Sequence, residues 1–206
     1  MQTEILSALA AQALPRAIAV LQRGGLVAFP TDTVYGVGAL VFEAAAVQRL
    51  YEVKGRSAEK AIAVLVAREA DLARVARVLT PSASVLALRF WPGPLTLVVP
   101  KHPALPEAVS ALPTVGVRQP DHAVAQALLA LTGPLAVTSA NLSGQPSATT
   151  PDAVLAQLAG RIDLLLDGGP TPGGVASTVI DCTAEPPVIL RPGPIGAAEI
   201  EAALKR

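Results

Sequence analysis

The chain has 206 residues, 51% hydrophobic but only 3% aromatic, with 16 basic and 16 acidic side chains and a formal net charge of zero. That length suits one domain with a full hydrophobic core, and the composition argues against a dedicated single-strand nucleic-acid binder, which needs stacking aromatics and a basic surface. A single cysteine, Cys182, excludes an internal disulfide, leaves a structural zinc site implausible with only His102 and His122 to join it, and fits a reducing cytoplasm; nowhere do about 18 apolar residues run unbroken, so no membrane span is expected.

In chain order, Met1 to Val20 reads as helical, with Glu4 where a signal peptide would have a basic start. Pro15 is able to open a second helix, and Gly24-Gly25 is suited to end it. Leu26 to Phe29 is a short buried strand, and Pro30-Thr31-Asp32-Thr33-Val34-Tyr35-Gly36-Val37-Gly38 leaves it as a loop whose glycines allow close approach of a ligand. Glu43 to Val53 reads as a helix. Lys54-Gly55-Arg56-Ser57-Ala58-Glu59-Lys60 then packs three cations into seven residues. Such a run ordinarily faces water.

Ile62 to Val66 is expected as a central strand, followed by helices Ala70 to Leu79 and Ser82 to Phe90, a stop at Trp91-Pro92-Gly93-Pro94, and a strand Leu95 to Val99. Trp91 reads as a core anchor. Lys101 to Leu112 is loop, Thr114 to Arg118 strand, and His122 opens a helix Ala123 to Leu131. After a strand Leu135 to Thr138, the small polar stretch Asn141 to Thr150 is expected to be a mobile lid. Helix Pro151 to Ala159, strand Ile162 to Leu166, turns at Gly168 to Gly174, strands Ser177 to Asp181 and Val188 to Leu190, and a helix from Ala197 to the end complete an α/β pattern. No repeat or internal boundary interrupts it, so residues 1–206 are expected to form a single domain.

Familiar catalytic signatures are absent: no Walker loop, no G-x-G-x-x-G after a strand, no G-x-S-x-G elbow. What remains is a set of cations (Lys54, Arg56, Lys60, Arg118, Arg191) and hydroxyl or amide groups (Thr31, Thr33, Thr138, Ser139, Asn141, Ser177) at or near strand ends, which converge on one crevice in an α/β sheet. Arginine holds a carboxylate or phosphate with a bidentate fork, whereas lysine acts as a point charge. The inventory suits a triphosphate plus a small carboxylate, at about 1.5 to 3 kcal/mol for each charge-assisted hydrogen bond. No carboxylate cluster marks a metal site, so metal ligands are unknown, and Asp32 is a possible outer contributor.

The same residues carry a resemblance. Pro30 to Gly36, Lys54-Gly55-Arg56 with Lys60, Trp91-Pro92-Gly93-Pro94-Leu95-Thr96, Val117-Arg118, Thr138-Ser139-Ala140-Asn141 and Leu190-Arg191-Pro192-Gly193 resemble, in order and spacing, the YrdC-like threonylcarbamoyl-AMP synthase family in its short form. One departure is Ala61, where many relatives have proline after the lysine. The resemblance implies a twisted mixed sheet flanked by helices with a concave basic groove. It implies a nucleotidyltransferase that joins L-threonine, bicarbonate or CO2, and ATP into threonylcarbamoyl-adenylate and pyrophosphate, with Mg2+ on the phosphates.

A transferase complex would then modify tRNA beside the anticodon. Carried over by position, Lys54, Arg56, Ser139 and Asn141 are catalytic; Arg56, Lys60, Thr114, Ser139, Ala140, Asn141, Ser147 and Arg191 bind ATP; Thr33, Arg118, Thr138 and Ser177 bind threonine. Two alternatives stay open: a carbamoyl-adenylate-forming domain like that of hydrogenase maturation proteins, and a non-catalytic module for double-stranded RNA.

Overall fold

Glu4–Ser7 (β1), Ala13–Gln22 (α1), Val27–Phe29 (β2), Gly36–Leu40 (β3), Ala44–Lys54 (α2), Ala63–Leu65 (β4), Glu69–Val75 (α3), Pro81–Phe90 (α4) and Leu95–Pro100 (β5) make up the first half. Thr114–Arg118 (β6), Ala123–Thr132 (α5), Leu135–Ser139 (β7), Pro151–Leu158 (α6), Leu164–Asp167 (β8), Thr178–Asp181 (β9), Val188–Arg191 (β10) and Ala197–Leu204 (α7) follow. This computed structural model describes residues 2–57 and 59–205. Met1 of the expected first helix, Ala58 of the cation loop and Arg206 of the expected last helix therefore lie outside the described residues.

The strands form one mixed sheet in the order β1-β8-β2-β3-β7-β4-β6-β5-β9-β10. Local chemistry explains several helix ends. Thr80 and Thr150 each accept the N–H three residues on (Ala83 and Ala153, both at 3.2 Å) and precede a proline, the combination that starts α4 and α6. His122 caps α5 through Nδ1, which accepts the Val124 N–H. Gly55, at φ +57°, ends α2 in the left-handed conformation that a residue without Cβ adopts freely.

Two cores sandwich the sheet. On one face, Val37, Val64, Val117, Leu97 and Ile180 join Leu50, Leu86, Val154 and Ile200 from α2, α4, α6 and α7. On the other, Val27, Phe29, Leu164, Leu166, Leu135 and Val137 are covered by Ala17 and Leu21 of α1 and Leu128 and Leu129 of α5. That second cover stops short of the sheet's other half, over β6, β5 and β9, and the site lies there.

Three expectations are corrected. Glu4–Ser7 is a parallel edge strand on β8, not helix, with alternate residues exposed. Gly36-Val37-Gly38 is strand, paired with both β2 and β7, not loop. The helix expected to reach Leu79 ends at Val75, because Ala76 turns extended and bridges Lys101. Trp91 is half-buried against the core, its indole donating to the Leu95 carbonyl at 2.6 Å. No described helix is long and apolar enough to cross a membrane.

Candidate active site

Strand register decides what faces the uncovered half. Gly36 pairs with Ser139, Ala63 with Val137, Leu65 with Arg118, Val98 with Gly116, and Thr96 with Val179. Directly paired residues project to the same side of a sheet, so these side chains share one face. Several are small. A Cβ on Gly36 would meet Val137 Cγ1 at 2.7 Å, so glycine is what fits at this end of the floor. The result is a cleft of about 300 Å³ with an apolar floor and a polar rim, lined by Thr31, Thr33, Arg56, Thr96, Arg118, Thr138, Ser139, Ser147, Ser177 and Arg191 among others.

Arg118 ends β6 and is 5% exposed. Its Nε donates to the Gly93 carbonyl at 3.0 Å, Nη1 to Thr33 Oγ1 at 2.9 Å, and Nη2 to Asp32 Oδ1. Three partners on two segments, Asp32-Thr33 and Gly93, thus fix the guanidinium plane. Burial works against its charge, Asp32 restores it, and the Arg191 charge opposes it. Asp32 Oδ2 is buried and has no hydrogen-bond partner among the described residues.

Arg191 ends β10 and folds back on Ser177, donating to its carbonyl from Nε (3.1 Å) and Nη2 (2.8 Å) and to its hydroxyl from Nη2 (3.2 Å). Ser177 Oγ in turn lies 2.8 Å from Thr96 Oγ1. Arg56 braces its own loop through the carbonyls of Lys60 and Ala61. Among the described residues, neither Arg56 nor Arg191 has a carboxylate partner. Burial lowers both pKa values, and Arg56 adds repulsion at Arg191.

Lys54 and Asn141 sit beside this cleft and do not line it. Lys54 is 2% exposed, and its ammonium donates to the carbonyls of Ser139 and Asn141. The Ser143 N–H returns a bond to the Lys54 carbonyl at 2.8 Å, and the Asn141 amide closes the turn by donating to the carbonyls of Leu142 (2.8 Å) and Gln145 (2.7 Å). Both residues therefore build the loop that presents Ser139. Burial first, and the Arg56 charge second, bring the Lys54 pKa down to about 8.

The stretch expected as a lid is tied at both ends. Ser143 N–H donates to the Lys54 carbonyl at its start, and at its end Tyr35 N–H donates to the Ala148 carbonyl and Thr171 N–H to that of Thr149; its exposed part is Gly144 to Pro146.

The remaining expected residues scatter. Ala140 is fully buried, its N–H on the Tyr35 carbonyl. Thr114 begins β6, two residues beyond Gly116 on the same face, and does not line the cleft. Lys60 is exposed outside it. Sequence reasoning gave no role to Thr96 or to the apolar floor, and it did not pair Asp32 with Arg118. The only signal for Thr96 was its place at the end of the Trp91-to-Thr96 segment. No acidic side chain lines the cleft, and no group of three or more His, Cys, Asp or Glu able to hold a metal occurs among the described residues.

Comparison with known proteins finds relatives in sequence and in fold. A family model for Sua5, YciO and YrdC proteins, described as telomere recombination, matches residues 19–193. The threonylcarbamoyl-AMP synthase of Pyrococcus abyssi is 46% identical over 183 residues, covering 88% of this chain and 54% of that protein. That of Bacillus subtilis is 45% identical over 194 residues, covering 93% of this chain and 56% of its own. The crystal structure of P. abyssi Sua5 complexed with L-threonine superposes with a TM-score of 0.92 at 42% identity, covering 98% of this chain and 60% of that one. The chain thus spans little more than half the length of these two curated relatives. Family model, identity and superposition agree, and the chain belongs to the Sua5/YciO/YrdC family.

Proposed function

We propose that residues 1–206 act as one catalytic domain, a threonylcarbamoyl-AMP synthase that makes L-threonylcarbamoyl-adenylate and pyrophosphate from L-threonine, bicarbonate or CO2, and ATP. The observation that carries this reading is a single cleft with two chemically different ends, matching a family whose P. abyssi member was crystallised with L-threonine. Arg118, with Thr33, Thr138 and Ser177, takes the amino acid: a guanidinium held on three sides is a preorganised carboxylate receptor. Arg56 and Arg191, with Ser139 and Ser147, take the triphosphate. Lys54 and Asn141 support turnover by holding the loop that carries Ser139, while Lys60, Thr114 and Ala140 contribute to the nucleotide site from its periphery. ATP would carry Mg2+ as part of the substrate, with the ion offsetting phosphate charge; among the described residues the cleft lining has no carboxylate to hold it.

The chemistry needs no covalent enzyme intermediate. The threonine amine attacks the carbon of CO2, giving a carbamate and a proton. A carbamate oxygen then attacks the α-phosphorus in line as pyrophosphate leaves. The protein's part is to align the reactants, stabilise the charge on the phosphates with arginines, and keep water from a hydrolysable carbamate and mixed anhydride. Asn141 to Thr150 is the lid for that last task, through its exposed Gly144 to Pro146 part. The adenylate then passes in the cytoplasm to a transferase complex that modifies the tRNA adenosine next to the anticodon.

The test is pyrophosphate release by purified protein with ATP and magnesium, omitting threonine or bicarbonate in turn. Release that requires both is expected. Release with carbamoyl phosphate in place of threonine would overturn the reading in favour of a carbamoyl-adenylate enzyme, and the absence of release under every condition would overturn it altogether.

A further inference from the structure

Thr31 lines the cleft, is 3% exposed, and has no role in the site as proposed above. Its hydroxyl makes three contacts whose directions can be assigned. Thr31 Oγ1 donates to the Val34 carbonyl at 2.7 Å, because a carbonyl can only accept. It accepts the Thr33 N–H at 3.2 Å. Its one proton is therefore spent. The 3.0 Å contact between the Thr31 and Thr33 hydroxyls then has only one possible sense, with Thr33 donating.

Thr33 Oγ1 meanwhile accepts Nη1–H of Arg118 at 2.9 Å. A hydroxyl has one proton and two lone pairs. The Thr33 proton goes to Thr31 and one lone pair to Arg118, which leaves a single lone pair for the cleft. The order of donation runs from Arg118 through Thr33 and Thr31 to the Val34 carbonyl, and Thr33 has no donor left for a ligand.

Charge at this end agrees. Asp32 sits on Arg118 and offsets its charge, so a ligand cation here meets a neutral pair, with the Arg191 charge reaching it only from the side.

We propose that Thr31 is a positioning residue that makes Thr33 Oγ1 an acceptor toward the ligand, and that the group received there is the amine of the amino-acid substrate. The inference rests on the proposed threonine site and specifies its polarity. An amine N–H given to Thr33 anchors the nitrogen while leaving its lone pair free to attack carbon. A carboxylate or phosphate oxygen would meet lone pair against lone pair at this position and is directed to the arginines.

The experiment compares L-threonine with (R)-3-hydroxybutyrate, which keeps the carboxylate and hydroxyl but lacks the amine, by calorimetric titration of the parent protein and of Thr31→Val and Thr31→Ser. The parent is expected to prefer threonine by about tenfold or more, the order of one hydrogen bond to a charged group. In Thr31→Val the Thr33 proton is released to point into the cleft. Threonine affinity should fall toward that of hydroxybutyrate, whose own affinity changes less than about twofold, and Thr31→Ser should restore the preference.

Equal loss of both ligands in Thr31→Val marks a merely structural role and overturns the inference, as does an unchanged preference. A parent that prefers neither ligand, yet binds both, overturns it while leaving the threonine site standing. A parent that binds neither overturns the threonine reading and this inference together. If Thr31→Val does not fold, NMR of the parent decides. A Thr33 hydroxyl proton that keeps its contact with Thr31 when threonine is added supports the chain of donation, and one that turns to the ligand contradicts it.

Discussion

The two ends of the cleft use the same side chain in opposite ways. At one end Arg118 is almost fully buried, bonded on three sides and neutralised by Asp32. Toward the other, Arg56 and Arg191 are braced only by carbonyls and a hydroxyl, have no carboxylate partner among the described residues, and repel one another, with the Arg191 charge also reaching Arg118. A guanidinium stays charged throughout, so the difference lies in its compensation. A compensated arginine presents geometry, which suits a small zwitterion. Uncompensated arginines present net charge, which suits a polyanion.

Removing one arginine from each end should separate these roles. Arg118→Ala leaves Asp32 buried and unpaired, and breaking a buried pair this way costs about 3 to 5 kcal/mol. A large fall in melting temperature is expected, together with a threonine requirement raised far more than the ATP requirement. Arg56→Ala should leave melting nearly unchanged, since it relieves repulsion. It should weaken ATP by about 10- to 150-fold, the equivalent of about 1.5 to 3 kcal/mol, and lower turnover even at saturating threonine. Thermal melts and steady-state kinetics on both variants check the contrast, and equal effects on both substrates would dissolve it.

A subtler effect follows from Lys54. Its native pKa is down at about 8 from the usual 10.5, with burial as the first cause. The unfolded chain therefore holds this proton more tightly than the folded one, and between those two values the group's contribution to stability rises with pH. The charge that holds the Ser139 and Asn141 carbonyls is lost over the same window. ATP affinity, measured by calorimetry, should accordingly fall several-fold across it while this group's contribution to melting moves the other way, and Lys54→Met should lack that pH dependence. The smallest effect is expected for Lys60→Ala, less than about twofold on either substrate, because an exposed ammonium outside the cleft is screened by solvent and salt.

The legibility of the molecule in its sequence follows the range of the interactions concerned. Strands with β-branched runs, such as Thr114–Arg118, and helices with local caps, such as Thr80-Pro81 and Thr150-Pro151, could be read because their causes lie within a few residues. Glu4–Ser7 could not: its partner strand lies about 160 residues on, and the four residues Glu-Ile-Leu-Ser show no polar-apolar alternation. Gly36-Val37-Gly38 looked like loop because glycine has low strand propensity, but the cleft floor has no room for a side chain at Gly36. The arginines before prolines were visible as an anion-binding set. Their different compensation was not, since Arg118 and Asp32 are 86 positions apart. Lys54 belonged to a charge run that ordinarily faces water, yet the turn after β7 draws its ammonium inward.

The most direct measurement of this division is NMR of the arginine Nε–H signals during separate titrations with threonine and with ATP and magnesium. Threonine is expected to shift the Arg118 signal and leave those of Arg56 and Arg191 in place, and ATP to do the reverse. Threonine shifting Arg56 or Arg191, or ATP shifting Arg118 as strongly as those two, would contradict a cleft divided by compensation of charge.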